Sequence, residues 1–135
     1  MFTYEYSPAM NFKLPKNERL HAEKLIKELF NEGSSFFLYP FKVLFIKKVE
    51  LIAQPNQVLF SVSKKKIRKA TDRNFIKRRL KEAYRLNKDI LPPDGIIVGL
   101  IFVGKAEMPF AEIQPKMIQV LTRLNQELIQ KPLSS

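Results

Sequence analysis

Residues 57–88 read QVLFSVSKKKIRKATDRNFIKRRLKEAYRLNK. Val58, Phe60 and Val62 alternate with Leu59, Ser61 and Ser63, so Gln57–Ser63 is a strand with one wetter face. Lys64–Lys69 follows as a basic connector. Thr71 or Asp72 is placed to cap a helix that runs to about Asn87. At helical spacing, Ile76, Leu80, Ala83 and Tyr84 share one face. Lys77, Arg78, Lys81, Arg85 and Lys88 form a stripe on the other side. Leu91-Pro92-Pro93-Asp94-Gly95 breaks the helix, and Ile96–Val103 is apolar almost throughout, the pattern of a central strand covered on both faces. A half-buried strand, an amphipathic helix and a fully buried strand in succession require a sheet with helices packed on it.

Working outward, Glu18–Asn31 is predicted helical, with Leu20, Leu25, Ile26, Leu29 and Phe30 near one stripe, Asn17 as N-cap and Gly33 as the stop. Ser35–Tyr39 and Lys42–Val49 read as strands separated by Pro40, which has no N–H for a ladder. Gln54–Gln57 is a turn. Pro109 and Pro115 punctuate the entry to a last helix whose core stripe is Met117, Val120, Leu121, Leu124 and Leu128. Residues 1–12 are aromatic without a clear period, an arm or strap, and residues 131–135 are a fraying tail. With no internal repeat and no long linker, the 135 residues are expected to form a single domain. The order α-β-β-β-α-β-α makes it α+β, an α/β sandwich.

Charge points to a partner. The chain carries 24 Lys and Arg against 13 Asp and Glu, net +11. Twelve of those basic residues and only Asp72 and Glu82 of the acids fall in Lys64–Lys88, which therefore holds +10 and leaves +1 for everything else. Uncompensated charge on one element costs self-repulsion that an anionic ligand relieves, and nucleic acid is the first such ligand. The absence of Cys excludes disulfides and thiolate chemistry. His21 alone supplies neither a histidine metal cage nor a triad. The acids show no Asp-x-Asp or Asp-x-Glu pairing, and the four glycines make no phosphate loop. No catalytic residue, bound metal or cofactor is therefore expected in the chain itself. No apolar run approaches the roughly 20 residues that span a bilayer, and the start lacks a secretory pattern, so the expected location is cytoplasmic, away from membranes.

Ser61-Val62-Ser63-Lys64-Lys65 followed by Ala70 through Arg85 resembles the signature of the bacterial ribonuclease P protein component. Lys64, Lys65, Ala70, Arg73, Asn74, Lys77, Arg78, Glu82, Tyr84 and Arg85 match it, and weaker similarity extends over residues 12–130. Phe75 and Lys81 stand where the family has Arg, and Ile67-Arg68-Lys69 replaces a connector that usually holds Gly. Arg68 and Arg79 are candidates to restore the lost charge.

The resemblance implies a fold like the second domain of ribosomal protein S5, with a left-handed β-α-β crossover around the basic helix. It implies a ribonucleoprotein that removes the 5′ leader of precursor tRNA, with magnesium ions held by the RNA subunit and one protein per RNA. The implied RNA-binding residues are Lys64, Lys65, Lys66, Arg68, Arg73, Asn74, Lys77, Arg78, Lys81, Arg85 and Lys88, contacts that position RNA without reading its sequence. A cleft between basic helix, sheet and first helix would hold the single-stranded leader. Aromatics stack single strands, and the candidates are Phe36, Phe37, Tyr39, Phe41 and Phe60, with Phe30 and Phe45 assigned to the core. The rival readings are a ribosomal or other structural RNA-binding protein of the same fold, a DNA-binding regulator, whose recognition helix should pair with a second helix, and a membrane-surface helix.

Overall fold

The structure is a computed structural model that describes residues 14–130. Its main elements are helix α1 (Glu23–Glu32), strands β1 (Ser34–Leu38), β2 (Phe41–Lys47) and β3 (Gln57–Val62), helix α2 (Ala70–Asn87), strand β4 (Ile96–Phe102) and helix α3 (Phe110–Gln130). The expected order α-β-β-β-α-β-α is the one observed. The arm at residues 1–12 and the tail at 131–135 lie outside the described residues.

The strands form one sheet in the order β1-β2-β4-β3. β1 and β2 make an antiparallel hairpin turning at Tyr39-Pro40, a cis peptide bond. β2 pairs antiparallel with β4, and β4 pairs parallel with β3. Parallel neighbours need a crossover, and α2 is that crossover. β4 is hydrogen-bonded on both sides, and Ile96 to Leu100 are buried, as its unbroken apolar run requires.

Helices cover both faces. Val43, Phe45, Val58, Phe60, Val62, Val98 and Leu100 point to one side, where they meet Ile76, Leu80, Ala83 and Tyr84 of α2 and Ile113, Met117, Val120, Leu121 and Leu124 of α3. Leu44, Ile46 and Ile97 point to the other, against Leu20 and Leu29. Gly99 makes the second contact possible: a Cβ there would lie 3.1 Å from Leu29 Cδ2. At the far end of α2, buried Asn56 joins two loops. Its Oδ1 accepts from the N–H groups of Asp94 (3.0 Å) and Ile96 (2.9 Å), and its Nδ2 donates to Pro92 O (3.0 Å). Gly95 adopts φ +68°, and a Cβ would stand 1.9 Å from Leu51 O, so only glycine fits this turn into β4.

The strands shift by one or two residues at their ends, and three helix starts differ from expectation. The first helix starts at Glu23; residues Lys16–Glu18 make a single 3-10 turn, Arg19 bridges Val58, and Leu20 N–H donates to Val58 O at 2.9 Å. β3 is an edge strand with unpaired backbone groups, and this segment takes them instead of continuing a helix. Ala22, not Asn17, is the N-cap, while Gly33 ends the helix as expected. α2 starts at Ala70 after Lys69, so Thr71 and Asp72 lie inside it; Asp72 still serves the first turn through its charge. Pro109 directly precedes α3, its carbonyl accepting from Glu112 and Ile113 (both 3.0 Å), whereas Pro115 lies within the helix.

Candidate nucleic-acid interface

The orientation of α2 follows from its core face. Ile76, Leu80 and Ala83 have no exposed surface and Tyr84 has 1%. The Tyr84 ring meets Phe60 edge to face, centroids 5.7 Å apart. Burial pushes the Tyr84 hydroxyl far above the ordinary range, with the Glu18 carboxylate adding to the shift, so the residue packs and does not titrate near neutrality. With that face fixed, the flank bearing Asn74, Lys77, Arg78, Lys81 and Arg85 is turned outward, whereas Lys88, one residue past the end of α2, is mostly covered and lies against Glu18.

The chain's own acids barely neutralise this flank. Arg85 pairs with Glu82 at 2.7 Å and Lys88 with Glu18 at 2.9 Å. Among the described residues, the other ten basic groups of Lys64–Lys88 form no ion pair. Removing Asn74 from the helix start also removes its capping role: it is exposed in the second turn.

The connector is held so that its lysines project. Ser63 N–H donates to Phe102 O (3.2 Å), Ile67 N–H to Ser63 O (3.0 Å), and the Ile67 side chain is buried, leaving Lys64, Lys65, Lys66 and Arg68 exposed. Arg73 closes this loop: its Nη1 donates to the carbonyls of Ile67 (2.9 Å) and Arg68 (2.7 Å). Part of its guanidinium therefore shapes the connector. Arg79, a candidate to replace lost charge, is committed elsewhere: its Nη1 donates to Met108 O (3.2 Å) and Ala106 O (3.4 Å), tying α2 to the loop before α3.

Two basic residues, Arg19 and Lys42, the latter in register with Phe37, escaped the sequence reading. Arg19, placed by the edge bridge, joins Leu14, Arg78, Lys81, Glu82 and Arg85 around a groove beside α2. The signal for Arg19 was the five-residue step from Leu20 to Leu25, which turns about 140° on a helix and so breaks the stripe.

The aromatic candidates divide. Phe41, Phe36 and Phe60 are core residues, 0%, 8% and 9% exposed, and offer no open ring to a base. Phe36 also lies under the Arg123 guanidinium, 4.4 Å from its centroid. Phe37 and Tyr39 are open, 57% and 48% exposed. Alternation along β1 is the reason: Phe36 faces α3, so Phe37 faces the α1 side, in register with Lys42, Ile101 and Ser61. Leu29 covers the neighbouring row at Gly99. Phe45 is buried as assigned, but Phe30, also assigned to the core, is 49% exposed on α1. A groove lined by Tyr39, Lys66, Gly104, Lys105 and Glu107 joins the hairpin turn to Lys66 of the connector.

Among the described residues no three His, Asp or Glu side chains converge as metal ligands, and no helix is long and apolar enough to cross a membrane. A four-stranded sheet carrying one outward cationic helix flank, with open aromatics on the opposite sheet face, defines an RNA-binding α+β protein.

The chain belongs to the Ribonuclease P protein family, whose sequence profile matches residues 14–125. It is 39% identical over 124 residues to the ribonuclease P protein component of Porphyromonas gingivalis, covering 87% of this chain and 90% of that one. The fold is similar to the ribonuclease P protein of Staphylococcus aureus, with TM-score 0.66, 26% identity and coverage of 81% and 96%. It is equally similar to that of Thermotoga maritima, with TM-score 0.66, 30% identity and coverage of 78% and 96%. Membership fixes the general role: the protein partner of ribonuclease P RNA in an endoribonuclease for tRNA 5′ processing, with catalysis in the RNA.

Proposed function

We propose that the two surfaces divide the RNA between them. The outward flank of α2, with Arg19 and the connector residues Lys64, Lys65, Lys66 and Arg68, grips phosphates of the RNA subunit and releases their counterions. The open half-face of the sheet, with Phe37, Tyr39 and Lys42, holds the single-stranded leader of precursor tRNA, whose bases stack on any exposed ring regardless of sequence. Arg73 and Asn74 serve the junction, Arg73 by shaping the connector and Asn74 through a side chain that both donates and accepts. The magnesium ions belong to the RNA subunit, one protein serves one RNA, and the work is done in the cytoplasm.

The observation that carries this reading is the set of ten basic groups on one helix and its connector that form no ion pair among the described residues. Folding alone gives no return for their mutual repulsion; a polyanion does. The test is leader cleavage by ribonuclease P RNA at low magnesium, with and without the full chain. Added protein is expected to raise the cleavage rate, because its cations replace part of the screening the metal provides. Equal rates across the magnesium series would overturn the proposal.

A further inference from the structure

Beside the cations of α2 stands an exposed side chain with no means of binding phosphate. Phe75 is 54% exposed in the second turn, directly after Asn74. It touches no core cluster among the described residues. The Arg78 guanidinium lies over its ring, 5.6 Å from the centroid, within the range of a cation–π contact. A single exposed hydrophobe needs no explanation by itself. This one is an aromatic ring backed by a guanidinium within a segment of net +10.

We propose that Phe75 is a stacking platform for an unpaired nucleobase of the bound RNA, with Arg78 supporting the ring and reaching the adjoining phosphate. The inference rests on the reading of α2 as the RNA-gripping element and adds a second kind of contact to it. A guanidinium in this position would bind phosphate and weaken with salt. A phenyl ring binds a base face, is indifferent to which base it is, and is insensitive to salt. Position 75 therefore trades one electrostatic contact for a stack that selects an unpaired nucleotide over a paired one, since a base inside a duplex has no free face.

The experiment uses the full chain in titrations over a salt series against ribonuclease P RNA and, separately, against precursor tRNA. Phe75→Leu keeps apolar bulk and removes the π face. It is expected to weaken binding roughly five- to hundred-fold to one of the two RNAs, the range of a lost base stack, with an unchanged slope of log affinity against log salt. The RNA that shows the loss supplies the base. The chain contains no Trp, so Phe75→Trp installs a single indole reporter, expected to retain affinity and to lose emission when a base stacks on it. Phe75→Leu binding both RNAs within twofold of the parent, or an indole whose emission is unchanged in the saturated complex, would overturn the platform. A Lys77→Glu/Arg85→Glu variant in the same titrations separates the two levels. If it binds like the parent, the α2 reading itself fails; if it binds weakly while Phe75→Leu does not, only the platform fails.

Discussion

Neutralising Lys77, Arg78 and Lys81 together is the most direct probe of the interface. All three lie on the outward flank of α2 and none forms an ion pair among the described residues, so their removal leaves no orphaned carboxylate behind. If each neutralises one phosphate, a Lys77→Gln/Arg78→Gln/Lys81→Gln variant loses between about 0.7 units of salt slope per contact, the single-strand value, and about 0.9, the value for a B-form duplex, or roughly two to three units in all. Between 50 and 200 mM salt, a loss of that size shrinks the change in affinity by roughly 20- to 40-fold. Binding of the full chain to ribonuclease P RNA, measured at five or six salt concentrations, gives the slope directly. Arg79→Gln is the matched control. It removes the same kind of charge from the same helix, but its Nη1 is bound to the carbonyls of Met108 and Ala106. It should leave the slope unchanged and cost about 1 kcal/mol or slightly more of stability. A triple variant with the parent slope, or an Arg79→Gln slope reduced as much as the triple's share per residue, would refute the assignment of the flank.

Phe36 and Phe37 are neighbours with opposite expected phenotypes. Phe36→Ala should destabilise the fold by about 3 kcal/mol or more, read by denaturant unfolding, whereas Phe37→Ala should leave stability nearly unchanged and reduce affinity for a leader-bearing precursor roughly five-fold or more. Equal effects of the two on stability would contradict the sheet register. The Asp94 carboxyl is held below its ordinary value, first by the hydrogen bond from Lys47 and then by the Ala53 N–H; the Lys47 ion pair measures 2.8 Å. A depressed folded-state value means that the unfolded chain takes up the proton first. The stabilisation is therefore present above the ordinary Asp range and is lost as pH falls through the depressed value. Asp94→Asn should remove that part of the acid limb in unfolding curves recorded between neutrality and strongly acidic pH, and a superimposable limb would exclude the pair as its source.

The legible parts of the sequence were those where one periodicity had one solution. Ile76, Leu80, Ala83 and Tyr84 recur at helical spacing, and their burial alone orients the cations on the opposite flank. The unbroken run of β4 announced a strand covered twice. Strand alternation is less informative, because it separates two faces without saying how far each is covered. In this fold α2 and α3 close one face while α1 closes only part of the other, so Phe36, Phe41 and Phe60 disappear into packing and Phe37 stays open. The same incompleteness hid Arg19: local pattern extended the first helix backward, whereas the edge of β3, which exists only once the sheet is assembled, captures the segment as an added strand-like bridge. Both misreadings concern groups whose roles are set by tertiary neighbours rather than by local spacing. They fall where function is concentrated because an interface must be left open by the fold, and no local rule records what a fold leaves uncovered.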